Sequence, residues 1–182
     1  MTAIVRALER REIDRVWSID RAERIDALYR HVDGRLVREP RVIEVRGWPP
    51  GEAELYGPIL LDCFDRGGTF LGAFEGETLI GAVVLESRFI GRARDQLQLK
   101  FLHVSRPHRR AGLGRMLFEK AVARARELGA RRLYVSSTES GNTVDFYMRR
   151  GCRLAQEVDP DLFALEPRDI HLELDIADSG SA

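Results

Sequence analysis

The sequence predicts a mixed α+β fold, and three observations predict it. Short β-type segments separated by turn residues fill the middle of the chain, from Thr69 to Val104. The apolar period then changes from two to 3.6 over Gly112 to Leu128. A further strand, Arg132 to Ser136, follows directly. An antiparallel meander is thus followed by a strand–helix–strand crossover, which places its two strands side by side and parallel.

The elements can be justified in order. Ile4 to Ala7 reads as a first strand, and Ile13, Val16 and Trp17 give Arg10 to Ser18 helical spacing. Asp20-Arg21-Ala22-Glu23 resembles a helix-capping box. Asp26 to Arg41 reads as a hairpin turning at Asp33-Gly34. Trp48-Pro49-Pro50-Gly51 breaks the chain before a helix over Glu52 to Asp65. Leu55, Ile59, Leu60 and Cys63 share one side of that helix, Pro58 either kinks it or delays its start, and Gly67-Gly68 ends it. Thr69 to Phe74, Leu79 to Leu85 and Gln96 to Val104 are the strands of the meander, the first two joined at Glu75-Gly76-Glu77. In the helix Gly112 to Leu128, the residues Leu113, Leu117, Ala121, Ala125 and Leu128 form an apolar stripe that Gly129 terminates. After the strand at Arg132, Asn142 to Arg150 is a short helix closed by Gly151. Cys152 to Glu157 and Ile170 to Leu174 are the last two strands.

With 182 residues the chain suits one domain with its own core, expected over 1–176, and 177–182 reads as a disordered tail. Lys plus Arg equals Asp plus Glu at 29 each, so nothing in the overall charge points to nucleic acid or a membrane surface. The two cysteines, Cys63 and Cys152, have no neighbour at metal-ligand spacing, which predicts no metal site and a reducing, cytoplasmic setting. No apolar run of signal-peptide or membrane-spanning length is present.

The junction between the strand ending at Val104 and the helix beginning near Gly112 carries the chemistry. A helix N-terminus presents unpaired N–H groups and the positive end of its dipole. In Arg109-Arg110-Ala111-Gly112-Leu113-Gly114-Arg115, two glycines let a phosphate approach those donors, and three arginines add charge. The segment lacks the Lys-Ser/Thr of a nucleotide-hydrolysing P-loop and the third glycine of a dinucleotide fingerprint. A solvated basic loop is the plainer alternative, and the two glycines with their flanking strand and helix weigh against it.

This Arg-x-x-Gly-x-Gly pattern resembles the signature of the GNAT N-acetyltransferase superfamily. Val104 stands five residues before Arg109, where that family closes its fourth strand. Arg132-Leu133-Tyr134-Val135-Ser136 is similar to its fifth strand, and Asn142 followed by Phe146-Tyr147 and Gly151 to the helix beyond. The resemblance is close over 69–174 and loose over 1–68. Two departures are Pro107, one place later than usual, and Cys152 where a Phe is common; a local loop adjustment and a smaller core residue would account for them.

The resemblance implies a mostly antiparallel, twisted sheet with helices on both faces and a splayed parallel pair at strands four and five. It implies a cofactor-binding core at 69–175 and a variable, acceptor-side part at 1–68. Backbone N–H groups of Arg110, Ala111, Gly112, Leu113, Gly114 and Arg115, beside Arg109, would hold the pyrophosphate of acetyl-CoA. Strand groups at Leu102, His103 and Val104 would pair with the pantetheine amides, as β-augmentation by a cofactor, and a free N–H near Val104 could polarise the thioester carbonyl. Asn142 would bond the pantetheine arm or the adjacent strand, and Phe146 would pack in the core or beside the cofactor. Tyr147 would be catalytic, sharing its proton with the leaving thiolate. No metal is implied.

The implied reaction is N-acetylation of a primary amine, on a small molecule or peptide, by direct attack in a ternary complex. A non-catalytic acyl-CoA sensor or interaction module is the alternative. An amine is mostly protonated at neutral pH and needs a base; Glu86, Asp95, His103 or water are the candidates. Alternation along Leu97, Leu99, Phe101 and His103 puts His103 on an apolar face unless a bulge reverses it. Trp48 either lines the acceptor pocket or anchors its loop. Glu23, Asp26, Asp33, Glu52 and Glu54 either attract a cationic amine or face water. The partner implied is the amine alone, with a homodimer left open.

Overall fold

The computed structural model describes residues 3–177, so the predicted tail lies, apart from Ala177, outside the described residues. Among the described residues nine strands and four α-helices follow in chain order. They are β1 (Ile4–Ala7), β2 (Glu23–Val32), β3 (Arg35–Val45), α1 (Glu52–Asp65), β4 (Thr69–Glu75), β5 (Thr78–Ile90), β6 (Gln96–Val104), α2 (Leu113–Glu127), β7 (Arg132–Ser137), α3 (Gly141–Met148), β8 (Arg153–Leu154), α4 (Pro160–Leu165) and β9 (Ile170–Asp175). Seven strands form one sheet in the order β1-β4-β5-β6-β7-β9-β8, while β2 and β3 form a separate hairpin. Set that hairpin aside, and β6 and β7 are the fourth and fifth strands of the sheet.

The β6–β7 pair is parallel and short. It joins Gln96 to Arg132, Leu97 to Leu133 and Gln98 to Tyr134, and then stops. Beyond Gln98, β6 stays with β5 as far as Val104, while β7 stays with antiparallel β9 as far as Ser137. The sheet therefore opens between β6 and β7 at their C-terminal ends, the splay that the resemblance implied.

Each face of the sheet has its own core. On one, Leu113, Leu117, Phe118 and Ala121 of α2 pack with Val144 and Tyr147 of α3 over Val83, Leu97 and Leu133. On the other, Ile13 and Val16 pack with Leu60 and Cys63 of α1 over Phe70, Ala82 and Val84, with Trp17, Trp48 and Phe101 beside them. Burying this apolar surface on both sides is what holds the sheet flanked by helices.

Several expectations are corrected. Arg10–Ser18 is a 3-10 helix and not an α-helix. Asp20 to Glu23 starts no helix; Ala22 N donates to Asp20 Oδ1, and the chain enters β2 at Glu23. The hairpin turn at Asp33-Gly34 is where it was expected, with both residues at positive φ, but its strands run on to Glu23 and Val45. Pro58 neither delays α1 nor ends it, and Leu55 of the expected buried stripe is exposed. Leu128 is likewise exposed, whereas Phe118 and Val122 are buried. Of the strand expected from Cys152 to Glu157 only Arg153–Leu154 pairs, and α4 was not foreseen. Strand β5 runs past Leu85 to Ile90 through an irregularity opposite β6.

Candidate active site

The turn at the head of α2 leaves a run of backbone donors free. Gly112 caps the helix at φ 84°, and Arg110 also adopts positive φ at 67°. The backbone N–H groups of Arg110, Ala111, Gly112, Leu113, Gly114 and Arg115 have no hydrogen-bond partner among the described residues. A Cβ at Gly112 would meet nothing within 4 Å, so its side of the turn is open. Gly114 serves packing instead: a Cβ there would lie 3.3 Å from Phe146 and 3.7 Å from Val104.

The arginines divide as sharply. Arg109 is turned inward, donating to the carbonyls of Val104 (2.8 Å), Ala22 (3.1 Å) and Asp20 (3.1 Å). Its guanidinium bolts the turn to the end of β6 and to the segment before β2, so the structure gives it a bracing place rather than one facing a phosphate. Arg115 is exposed and paired with Glu119.

In β6, Leu102 and Val104 present backbone groups to the gap. Ser105 N donates to Ile80 O, so in antiparallel alternation Ala82 and His103 exchange bonds, while Leu102 and Val104 point their N–H and C=O away from β5. The Val104 carbonyl is taken by Arg109; its N–H faces the gap.

The bulge in β6 decides where His103 lies. Phe101 pairs with Val84 and Leu99 with Leu85, leaving Lys100 as an extra residue. Leu97 and Leu99 therefore belong to the α2 core, whereas Phe101 and His103 emerge on the opposite face. His103 sits edge-on to Trp48 (4.8 Å) and Phe101 (4.6 Å). Burial, with Arg21 and Arg109 nearby, pushes its imidazole down to about 3.

On that face both splayed strands line a cleft of about 400 Å3. Trp48, Tyr56 and Phe101 give it aromatic walls, and Leu162 and Leu165 of α4 close one side. Glu52, Glu139, Glu166 and Asp169 bring carboxylates to it. Trp48 both lines the cleft and anchors its loop, its Nε1 donating to Ile19 O. Of the five acidic residues named from the sequence, only Glu52 borders this cleft, where it faces Arg21 at 3.9 Å. Glu139, Glu166 and Asp169 went unnoticed, since no local pattern marks three loop residues that only the fold gathers.

Tyr147 is buried on the α2 face between Phe118 and Phe146, and its hydroxyl makes no hydrogen bond among the described residues. Burial, reinforced by Cys152, holds the phenol well above its ordinary range. Phe146 lies in the same cluster, under the guanidinium of Arg150. Asn142 is tied to the hairpin: its Nδ2 donates to Arg24 O (2.8 Å) and Glu23 Oε2 (3.0 Å). With Tyr29 Oη donating to Asp145, this docks β2 on α3.

Two of the base candidates are otherwise engaged. Burial alone would raise Glu86, but hydrogen bonds from Arg66 and the Ser87 backbone, with Lys100 close by, hold it below the usual carboxylate range. Asp95 pairs with Arg132 at the closed end of the β6–β7 ladder.

Solved structures share this architecture. Nourseothricin acetyltransferase superposes with a TM-score of 0.73 at 20% identity, covering 97% of this chain and 99% of that one. A candidate streptothricin acetyltransferase from Bacillus anthracis str. Ames, in complex with acetyl coenzyme A, gives 0.71 at 18% identity over 96% and 99%. The PaiA N-acetyltransferase of Thermoplasma acidophilum, in complex with coenzyme A, gives 0.64 at 17% over 96% and 99%. At such identities the likeness is one of fold. No curated protein matches the chain in sequence. The sequence profile of the Acetyltransferase (GNAT) family matches residues 35–152, from β3 through the turn at the head of α2 to just beyond α3. On that match, covering more than half its length, the chain belongs to the GNAT acetyltransferase family.

Proposed function

We propose that the chain transfers the acetyl group of acetyl-CoA to a primary amine that arrives as an ammonium ion, by direct attack within a ternary complex. One observation carries this reading: the β6–β7 gap has six unpartnered N–H groups beside its mouth on one face and a carboxylate-lined aromatic cleft on the other.

The residues present fit the cofactor. The turn from Arg110 to Arg115 would hold the pyrophosphate, with the open side of Gly112 leaving it room. The gap-facing N–H groups of Leu102 and Val104 would pair with the pantetheine. Bound acetyl-CoA supplies an activated acyl group as a thioester. The protein supplies the rest. Carboxylates around the cleft draw in a cation, and aromatic walls favour it electrostatically. The Tyr147 hydroxyl, kept in its protonated form by burial of the ring, would lend a proton to the departing thiolate as charge develops on sulfur. In this reading residues 1–68 contribute the acceptor side and 69–175 hold the cofactor, with α4 as a further acceptor wall.

The test is thiol release from acetyl-CoA with a panel of amines: nourseothricin, polyamines, aminoglycosides, amino acids and Lys peptides. Turnover with cationic amines is expected. Tight acetyl-CoA binding with no turnover across the panel would replace this reading with that of an acyl-CoA sensor.

A further inference from the structure

The geometry points to Asp169 as the base that takes the proton from the acceptor ammonium, with Ser136 as the residue that positions it. This rests on the reading of the chain as an amine acetyltransferase. The three protein groups nominated by sequence are poorly suited: Glu86 is held by Arg66 and Lys100, Asp95 by Arg132 at the closed end of the ladder, and His103 is wedged against Trp48 and Phe101.

Asp169 differs on each count. It immediately precedes Ile170, which is in register with Ser137 at the open end of β7, and it lines the cleft. Ser136 Oγ donates to its Oδ2 at 2.8 Å, which orients the carboxylate, while Oδ1 has no partner among the described residues. The charged and titratable groups that share the cleft with it are Glu139, Glu166, Arg168, Lys100 and His103, with Tyr56 and the Arg21–Glu52 pair from the far wall. Burial, with Glu166 and Glu139 close by, outweighs the Ser136 bond and pushes the carboxyl up to about 6. A carboxylate of that basicity accepts a proton from an amine more readily than an ordinary one.

The step balances as follows. One ammonium proton passes to Asp169 Oδ1, and the nitrogen lone pair forms the N–C bond to the acetyl carbon. The C–S electron pair goes to sulfur. Sulfur takes a proton from Tyr147 Oη, the phenol is restored by the second nitrogen proton through solvent, and Asp169 releases its own proton to solvent. An ammonium and a thioester give an amide, a thiol and one proton.

The experiment measures kcat and kcat/KM from pH 5 to 9 for the full chain and for Asp169→Asn, Glu139→Gln and Ser136→Ala. Asp169→Asn should lower kcat by about 100-fold, with the KM for acetyl-CoA kept within about twofold. The wild type should lose activity as pH falls through about 6. Glu139→Gln should keep that limb, and Ser136→Ala should move it upward, because the lost bond favoured the charged form. A carbon-13 carboxyl titration, with the signal assigned by its loss in Asp169→Asn, should show a midpoint near 6 in the protein without substrates. An active wild type with undiminished Asp169→Asn, a limb abolished by Glu139→Gln, or an Asp169 midpoint near the ordinary value of about 4 would each overturn the assignment alone. A wild type that turns over no amine would overturn the acetyl-transfer reading, and the base role with it.

Discussion

The two glycines at the head of α2 serve different ends, and substitution should separate them. Gly112 sits at φ 84° with open space where a side chain would go, whereas the missing Cβ of Gly114 makes room for Phe146. Gly112→Val should cost about 1–2 kcal/mol of stability for the left-handed backbone and weaken CoA binding by more than about tenfold, read by calorimetric titration. Gly114→Val should show mainly in the thermal midpoint, as Phe146 is displaced. At Tyr147 the ring is buried but the hydroxyl has no protein partner among the described residues, so Tyr147→Phe should leave the thermal midpoint nearly level. Its kcat should fall by about 10–100-fold with CoA affinity kept; full turnover would remove Tyr147 from proton transfer. The contacts of Arg109 and Asn142 that sequence did not foresee share a cause. Their partners include the backbone carbonyls of Asp20, Ala22 and Arg24, and no spacing near residue 109 or 142 reveals a contact with residues so distant.

Among the elements, α1, α2, β6 and β7 were legible almost to the residue, because hydrophobic period and flanking Gly or Pro mark them. The bulge at Lys100 was not. Alternation continues unbroken in the letters Leu97 to His103, and only pairing with β5 exposes the extra residue that turns Phe101 and His103 over. The carboxylates of the cleft were hidden for a related reason, since they gather from loops after β7 and α4. In α4 a signal was present and passed over: Asp159 caps the helix by accepting from the N–H groups of Asp161 and Leu162, with Pro160 at the first position. Asp159→Ala should cost about 1 kcal/mol, felt locally. Faster hydrogen exchange in α4 and a raised KM for the amine are expected, because Leu162 and Leu165 wall the cleft, with the KM for acetyl-CoA steady.

Across the whole molecule, carboxyl groups and imidazoles shifted by pairing and burial set how stability depends on pH. Glu12, held by the Arg6 hydrogen bond, is lowered to about 2, and Asp65 and Glu86 are lowered by Arg10 and Arg66. Their contribution is present above the ordinary carboxylate range and fades as pH falls below it. Asp169 acts in the reverse sense. Raised to about 6, it favours the folded state when protonated and loses that contribution as pH rises through 6. His103 and His171, both lowered by burial, act against it, because the unfolded chain takes up their protons first as pH falls below about 6.5. Thermal midpoints should therefore decline from pH 7 to about pH 5 and fall further below about pH 4. Asp169→Asn should raise the midpoint at pH 7 and steepen that decline, because it removes a group that gains stability on acidification.

The early end of the β6–β7 ladder at Gln98 and Tyr134 has one more consequence. It creates a bare strand edge in the middle of a sheet, and bare edges invite pairing with other chains. Here α2 packs on one face, and Leu162 and Leu165 of α4 line the cleft on the other, a setting that would suit a slender chain of amides better than a second protein strand. A ligand of that shape would act as a sealing strand, and its arrival should slow amide exchange at Leu102 and Val104 far more than at His103, whose N–H already belongs to β5. The cofactor would in this sense complete the sheet as well as feed the reaction.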